Sequence, residues 1–390
     1  MLAELLGVHE SDLNGLSYSA SASFTLMGGY YFIQPLSEEM SLRAGIEMTP
    51  YLNVAGLALL IICNPLYSAM ASVLTLAQVQ PVLHRFLSTC LVLFAMAFSL
   101  HRSLYLSFSF SVFLTGFAPY LMSTFWVRMA HLHAHSEAQR VYGVIAAGAQ
   151  FGELLASVAA SALFAILGEG VLLPTAVLIE CSVRLIKRRA ALYDEHTASR
   201  NIDQHTAATN ISAGNGGGGG STRAAAPTRT GRSVGCRDAF SSVPLLASTP
   251  LLRAVTAHTL LQSLLVNCVW YERAAAASEA FDTSAGRLAF FSYLNGWVGG
   301  ITLIVQILLF ARVSTSKYIG PVGTLVAEPL MLIVGLLITM SLPSLLAVAI
   351  MDCSRTIAAR PFLPTPRGLS LPPIASPTMP RFVHVSPRAR

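Results

Sequence analysis

Apolar runs of about 20 residues, nearly free of charge, follow one another along most of the chain and leave it few ways to fold. Six precede a polar segment, at about Gly15–Leu36, Pro50–Leu76, Pro81–Leu100, Leu104–Val127, Val141–Leu167 and Val171–Ile186. Three more follow it, at about Leu251–Trp270, Leu288–Phe310 and Gly320–Met340, and a tenth begins near Pro343 and meets Asp352. Inside a bilayer no water satisfies backbone N–H and C=O groups, so such runs cross as helices or as strands of a closed barrel. They are continuous, without the period-2 alternation of barrel strands, which selects helices. Charged residues make up 11% of the chain, against about 25% in a soluble domain. The sequence therefore predicts an all-α membrane protein with about nine or ten transmembrane helices.

The polar segment divides the chain. From Lys187, Arg188 and Arg189 it continues through Gly216–Gly220 and carries Arg223, Arg229, Arg232 and Arg237, with almost nothing able to form a core. This composition predicts a disordered basic loop over 187–247. It separates an N-terminal six-helix half, 15–186, from a C-terminal half of three or four helices, 248–352. Residues 353–390, rich in Pro and Arg, read as a disordered tail. The net charge of +6 sits mainly in the loop and the tail. In a membrane protein such charge sets orientation, so the partner it implies is the lipid bilayer and not a nucleic acid. Positive charge also gathers at Arg128, His131, His133, His135 and Arg140, whereas Glu38, Glu39 and Glu47 outweigh Arg43 in the expected loop after the first run. That pattern places the N-terminus and the central loop in the cytoplasm. Met1–Leu16 has Glu4, Glu10 and Asp12 but no Lys or Arg, which argues against a signal or transit peptide. The six cysteines form no CxxC pair and read as small core residues.

Glu153, near the centre of the fifth run, is the most informative residue. A carboxylate at that depth costs about 2–3 kcal/mol on insertion scales, so it faces an aqueous cavity, pairs with a cation, or is protonated in a helix–helix hydrogen bond. Gly148 and Gly152 form a GxxxG pair, with Gly143 five residues before, and predict a close helix contact. Glu180 and Arg184, four apart, predict an ion pair along one helix. His258, Gln262 and Asn267 form a loose polar stripe that Tyr293, Asn295 and Gln306 can face, and Glu328 is a further titratable group inside a run. Pro65 interrupts or bends the second run. His131 and His135 share a helical face, yet no third ligand at zinc spacing accompanies them except Glu137, so no metal site follows. Catalytic motifs and a phosphate-binding loop are absent from the sequence. Neither an enzyme nor a cofactor is implied.

Four stretches carry a resemblance. Gly-Tyr-Tyr-Phe-Ile-Gln-Pro-Leu-Ser-Glu-Glu-Met (Gly29–Met40), Cys-Asn-Pro-Leu-Tyr (Cys63–Tyr67), Ser-Thr-Phe-Trp (Ser123–Trp126) and Arg-Val-Tyr-Gly-Val-Ile-Ala-Ala-Gly (Arg140–Gly148) together resemble the nucleotide-exchange transporter family. That family comprises the plastid and intracellular-parasite ATP:ADP antiporter type and its bacterial-type relatives, within the major facilitator superfamily. Tyr271-Glu272 and the segment Arg355–Pro361 also look like family positions. The resemblance runs from about Gly28 to Pro361, leaving out the central loop. It implies a major-facilitator-like bundle whose C-terminal half is incomplete, and secondary active transport of an anionic solute, a nucleotide among the candidates, by a monomer through alternating access. Candidate substrate-binding residues are Tyr31, Gln34, Arg128 and Glu153 in the N-terminal half and His258, Asn267, Glu272 and Asn295 in the other. In this reading Arg128 attracts anions at the inner mouth, and Glu153 serves protonation or gating. The alternative class is an inactive transporter-like membrane scaffold, or a truncated or misread transporter gene product.

Overall fold

A computed structural model of the chain describes residues 10–133, 138–214 and 248–314, together with 330, 333–335, 337, 350 and 351. Among the described residues the regular structure is entirely helical. The elements are α1 Glu10–Arg43, a 3-10 turn Ile46–Met48, α2 Thr49–Val73, α3 Leu76–Leu100, α4 Leu104–Leu132, α5 Ala138–Leu167, a 3-10 turn Gly168–Val171, α6 Leu172–Gly214, α7 Pro250–Ala280 and α8 Ser284–Ser314. Among the described residues four stretches are long and apolar enough to cross a bilayer: Ile46–Val73, Leu76–Leu100, Leu104–Leu132 and Val141–Glu195. The chain is an all-α membrane protein, as its composition predicts. Most of the expected ninth and tenth helices, residues 215–247 of the central segment and the tail from 353 lie outside the described residues.

Local chemistry sets the helix ends. Thr75 opens α3 in a capping box, its N–H donating to Gln78 Oε1 at 3.1 Å, and Ser103 opens α4 by accepting the Leu106 N–H at 3.1 Å. Both satisfy donors that a first helical turn leaves unpaired. Gly45 and Gly168 turn the chain after α1 and α5 with φ of 97° and 56°, a backbone region that favours glycine.

Contacts between helices fix their directions. Gly148 and Gly152 of α5 lie on Ala20 and Phe24 of α1, so sequence rises the same way in both and they run parallel. The Ser182 hydroxyl donates to the Ala22 carbonyl at 2.9 Å while Gly29 meets Leu178 and Thr175, which makes α6 antiparallel to α1. The bond from Ser111 to the Ser37 carbonyl and the bond between His133 and Ser19 do the same for α4. Tyr120 donates to the Leu60 carbonyl, and Gly56 faces Thr115, so α2 runs with α4. Finally, Gly296 meets Val158 and Gly299 meets Glu153, which turns α8 against α5. The helices alternate up and down, with the turns α1–α2, α3–α4, α5–α6 and α7–α8 at one end, called the upper end below.

The core lies around α1, which touches α4, α5, α6 and α8. Leu26, Ile33, Leu36 and Met40 of α1 join Phe110, Phe125 and Met129 of α4, Ile145 of α5 and Leu172 and Ile179 of α6 in one buried cluster. Outward-facing positions are apolar too, such as Val54, Leu57, Ile61, Ile62 and Leu66 of α2, as expected where the surroundings are lipid. A buried polar chain of Gln80, His84 and Thr124 links α3 to α4, with two distances of 3.3 Å.

Three sequence expectations need correction. Pro35 does not end α1: the helix runs on to Arg43, so Glu38 and Glu39, expected in a loop, are helical and buried. Pro35 deletes one N–H, and burial of the flanking Ile33, Leu36 and Met40 offsets that loss. Pro65, expected to interrupt or bend the second run, lies within the continuous α2 and does not interrupt it. The basic segment expected to be disordered from Lys187 is helical to Gly214 as part of α6. Its start is rich in Arg, Ala and Leu, good helix formers, and Arg189 is seated against the lower end, donating to the Leu132 carbonyl at 3.1 Å.

At that lower end His133, just past α4, hydrogen-bonds with the Ser19 hydroxyl at 3.0 Å. Burial, with Arg189 nearby, pushes its pKa from 6.5 down to about 4. As pH falls below 6.5 the unfolded chain takes up a proton that the folded site refuses until about 4. Stability from this site is therefore complete above 6.5 and lost across that window. Thermal midpoints measured from pH 7 to pH 4 should fall less steeply for His133→Gln than for the wild type; parallel curves would mean that His133 is not held neutral.

Candidate functional site

The last turns of α1 place two carboxylates against the hairpin of α7 and α8. Glu38 pairs with Arg273 of α7, both side chains 4% exposed, and accepts from Gln34 Nε2 at 3.1 Å. Arg273 Nη1 in turn donates to Asn295 Oδ1 of α8 at 3.2 Å. The guanidinium is flanked by the rings of Trp270 and Phe291, at 5.2 and 5.4 Å from their centroids, where ring faces favour a cation. Next to it, Glu39 takes two bonds from Arg287 of α8, at 2.8 and 3.1 Å.

The pairing spreads along the upper end. Arg43 lies 3.6 Å from Glu39 and 3.5 Å from Glu169 in the α5–α6 turn, and donates to the Ser284 hydroxyl at 3.3 Å. Arg102 closes the set on Glu169 at 2.9 Å. Charges buried at this depth persist only when paired, and here the partners come from helices on both sides of the central segment. A cavity of about 70 Å³ adjoins Arg273, lined by Tyr30, Gln34, Glu38, Asn53, Trp270 and Phe291 among others.

Of the residues expected to bind substrate, this site brings Gln34 and Asn295 together through Glu38 and Arg273. Tyr31 is buried one turn below, edge-on to Tyr30 at 5.2 Å. Glu272 is exposed; its neighbour Arg273 faces inward, because adjacent helical residues point about 100° apart. On α7 the hydrogen bond to Asn295 comes from Arg273. His258 and Gln262 are half-buried, Asn267 is exposed, and Tyr293 is exposed on α8. Arg128 lies at the other end of the molecule, buried in α4 within the field of Asp194. Glu153 is 2% exposed and pressed against Gly299, where α5 meets α8.

Glu38, Glu39, Arg273 and Arg287 are the residues that sequence reasoning missed. A signal was present: two adjacent acids one turn beyond an apolar run require cations on a facing element if the helix continues. Ending the first run at about Leu36 hid it. Two further expectations fared differently. Glu180 and Arg184 pair along α6 at 3.2 Å as their spacing predicts, and Arg85 of α3 adds two bonds to Glu180, at 3.0 and 2.9 Å. Cys268, expected in the core, is exposed, while Cys63, Cys90 and Cys181 are half-buried.

Fold and site together define a multi-pass helical membrane protein with buried ion pairs tying its two helix groups at one end. No protein-family model and no curated protein matches the chain.

Proposed function

We propose that the protein is a secondary transporter of an anionic solute, by resemblance a nucleotide, that works by alternating access between its two helix groups. The observation that carries this reading is that, among the described residues, the buried cross-group ion pairs lie at the upper end, at Glu38–Arg273 and Glu39–Arg287. Ties of that kind close one mouth and can be broken, whereas the contact of Gly296 and Gly299 with Val158 and Glu153 joins the groups through small residues and suits a pivot. In this scheme the cytoplasm lies at the lower end, where Arg128 gathers anions and the basic start of the central segment lies. Glu153 sits at the pivot, so gain or loss of its proton alters the contact between the groups instead of touching an anionic substrate.

The test is uptake of labelled ATP into proteoliposomes preloaded with ADP. Exchange above protein-free vesicles is expected, and it should depend on pH. Glu153→Gln should remain folded in the membrane and lose the pH dependence, because the amide keeps the shape and hydrogen bonding but not the titration. A wild-type pH profile in that variant returns Glu153 to helix packing. Absence of uptake of ATP, ADP or phosphate at every pH would leave the scaffold reading instead.

A further inference from the structure

We infer that Arg273, with Asn295 and Trp270, is the binding site for an oxyanion group of the solute, a phosphate or carboxylate, and that Glu38 occupies this site as a displaceable stand-in. The inference rests on the transport reading and gives it a chemical site. A guanidinium presents a planar fork of donors that matches two oxygens of a carboxylate or phosphate. The Trp270 and Phe291 ring centroids lie 5.2 and 5.4 Å from the Arg273 guanidinium carbon, and a carboxylate from the opposite helix group already lies on its Nη2. Three polar atoms around it make no hydrogen bond among the described residues: Asn295 Nδ2, Gln34 Oε1 and Thr49 Oγ1. Buried polar atoms of that kind are costly. Two of them have a direct use for a phosphate, since Asn295 Nδ2 supplies a donor to one oxygen and Gln34 Oε1 an acceptor for a protonated one. The adjoining cavity, about 70 Å³, takes a single oxyanion group and is well short of the ~300–1,000 Å³ of a pocket for a whole drug-sized ligand. The rest of the solute therefore enters only when the upper end opens. Displacement supplies that coupling: an anion on Arg273 releases Glu38 and breaks one of the cross-group ion pairs.

Stand-in and ligand compete for one cation, so two nearly isosteric variants must move affinity in opposite directions. Binding of inorganic phosphate and of ADP is measured on the full chain in phosphatidylcholine nanodiscs, with folding checked by monodispersity. Glu38→Gln should tighten both probes about tenfold or more by removing the competitor. Asn295→Asp keeps the oxygen that accepts from Arg273 but sets a negative charge beside the anion, and should weaken both by at least about tenfold. Arg273→Gln should abolish saturable binding. Unchanged affinity in Glu38→Gln and Asn295→Asp overturns the site even if uptake persists, because the solute then binds elsewhere. Binding that follows the expected order without any uptake overturns the transport reading and leaves the site standing. Phosphate binding lost only when phosphatidylglycerol is added to the discs assigns the oxyanion to a lipid headgroup and overturns the solute form.

Discussion

Gly152→Leu should yield no monodisperse protein after detergent extraction, and Gly152→Ala should lower the thermal midpoint by several degrees. A Cβ at Gly152 would overlap the Phe24 carbonyl oxygen and come within 3.0 Å of its carbon, and one at Gly148 would reach the Ala20 carbonyl oxygen at 2.6 Å. These are backbone atoms, so no rotamer change relieves the clash and α1 must move off α5. Overpacking costs about 1–3 kcal/mol where side chains can yield, and more is expected here because the displaced element is α1, the centre of the bundle. Between lipid-embedded helices such close approach is itself the main attraction, so separation also loses contact energy along the whole seam. Gly143 is the control. A Cβ there meets nothing within 4 Å, and alanine should be neutral or slightly stabilising through its helix propensity. Equal thermal midpoints for Gly143→Ala and Gly152→Ala would remove the close contact from this account.

The unequal roles of these glycines show where sequence is a sufficient guide. Membrane class and helical content follow from run length and missing alternation, which need no partner to be read. The GxxxG pair was legible as a contact because only small residues permit one, but its partner, Ala20 and Phe24, was not, since any apolar face can receive a glycine stripe. Gly143 shares the residue type without the contact. The candidate site was less legible still. Gln34 and Asn295 stood out as polar residues in apolar runs, while the charges that join them were assigned to a loop and a helix end. Whether a helix continues past Pro35 depends on burial around it, which is a tertiary property. Arg273 and Glu272 are equally polar in sequence, and only the rotation of α7 about its axis decides which faces Glu38.

The same network yields the second large effect, which is asymmetric. Arg287→Leu should cost about 3–5 kcal/mol, the range for removing one partner of a buried pair, because Glu39 is fully buried and its other cation, Arg43, stands 3.6 Å away. Glu39→Gln should cost clearly less. Arg287 retains the Phe281 and Asp282 carbonyls, at 3.0 and 3.3 Å, and the amide still offers an acceptor. Exchanging both for leucine should recover most of the loss, since an apolar pair of similar size carries no desolvation penalty. Thermal unfolding in detergent of the wild type, Arg287→Leu, Glu39→Leu and the double leucine variant gives the double-mutant cycle directly. A double variant as unstable as Arg287→Leu alone would mean that the stability lies in packing of the Arg287 stem and not in its charge. On the transport reading proposed above, recovery of stability should not bring recovery of exchange. Two leucines facing each other across the groups hold the upper end closed with no charge for water or an anion to exchange with, so the repaired protein is expected to unfold like the wild type and to transport more slowly. If it exchanges nucleotide at the wild-type rate, the Glu39–Arg287 tie is a structural bond and the upper end opens by some other route.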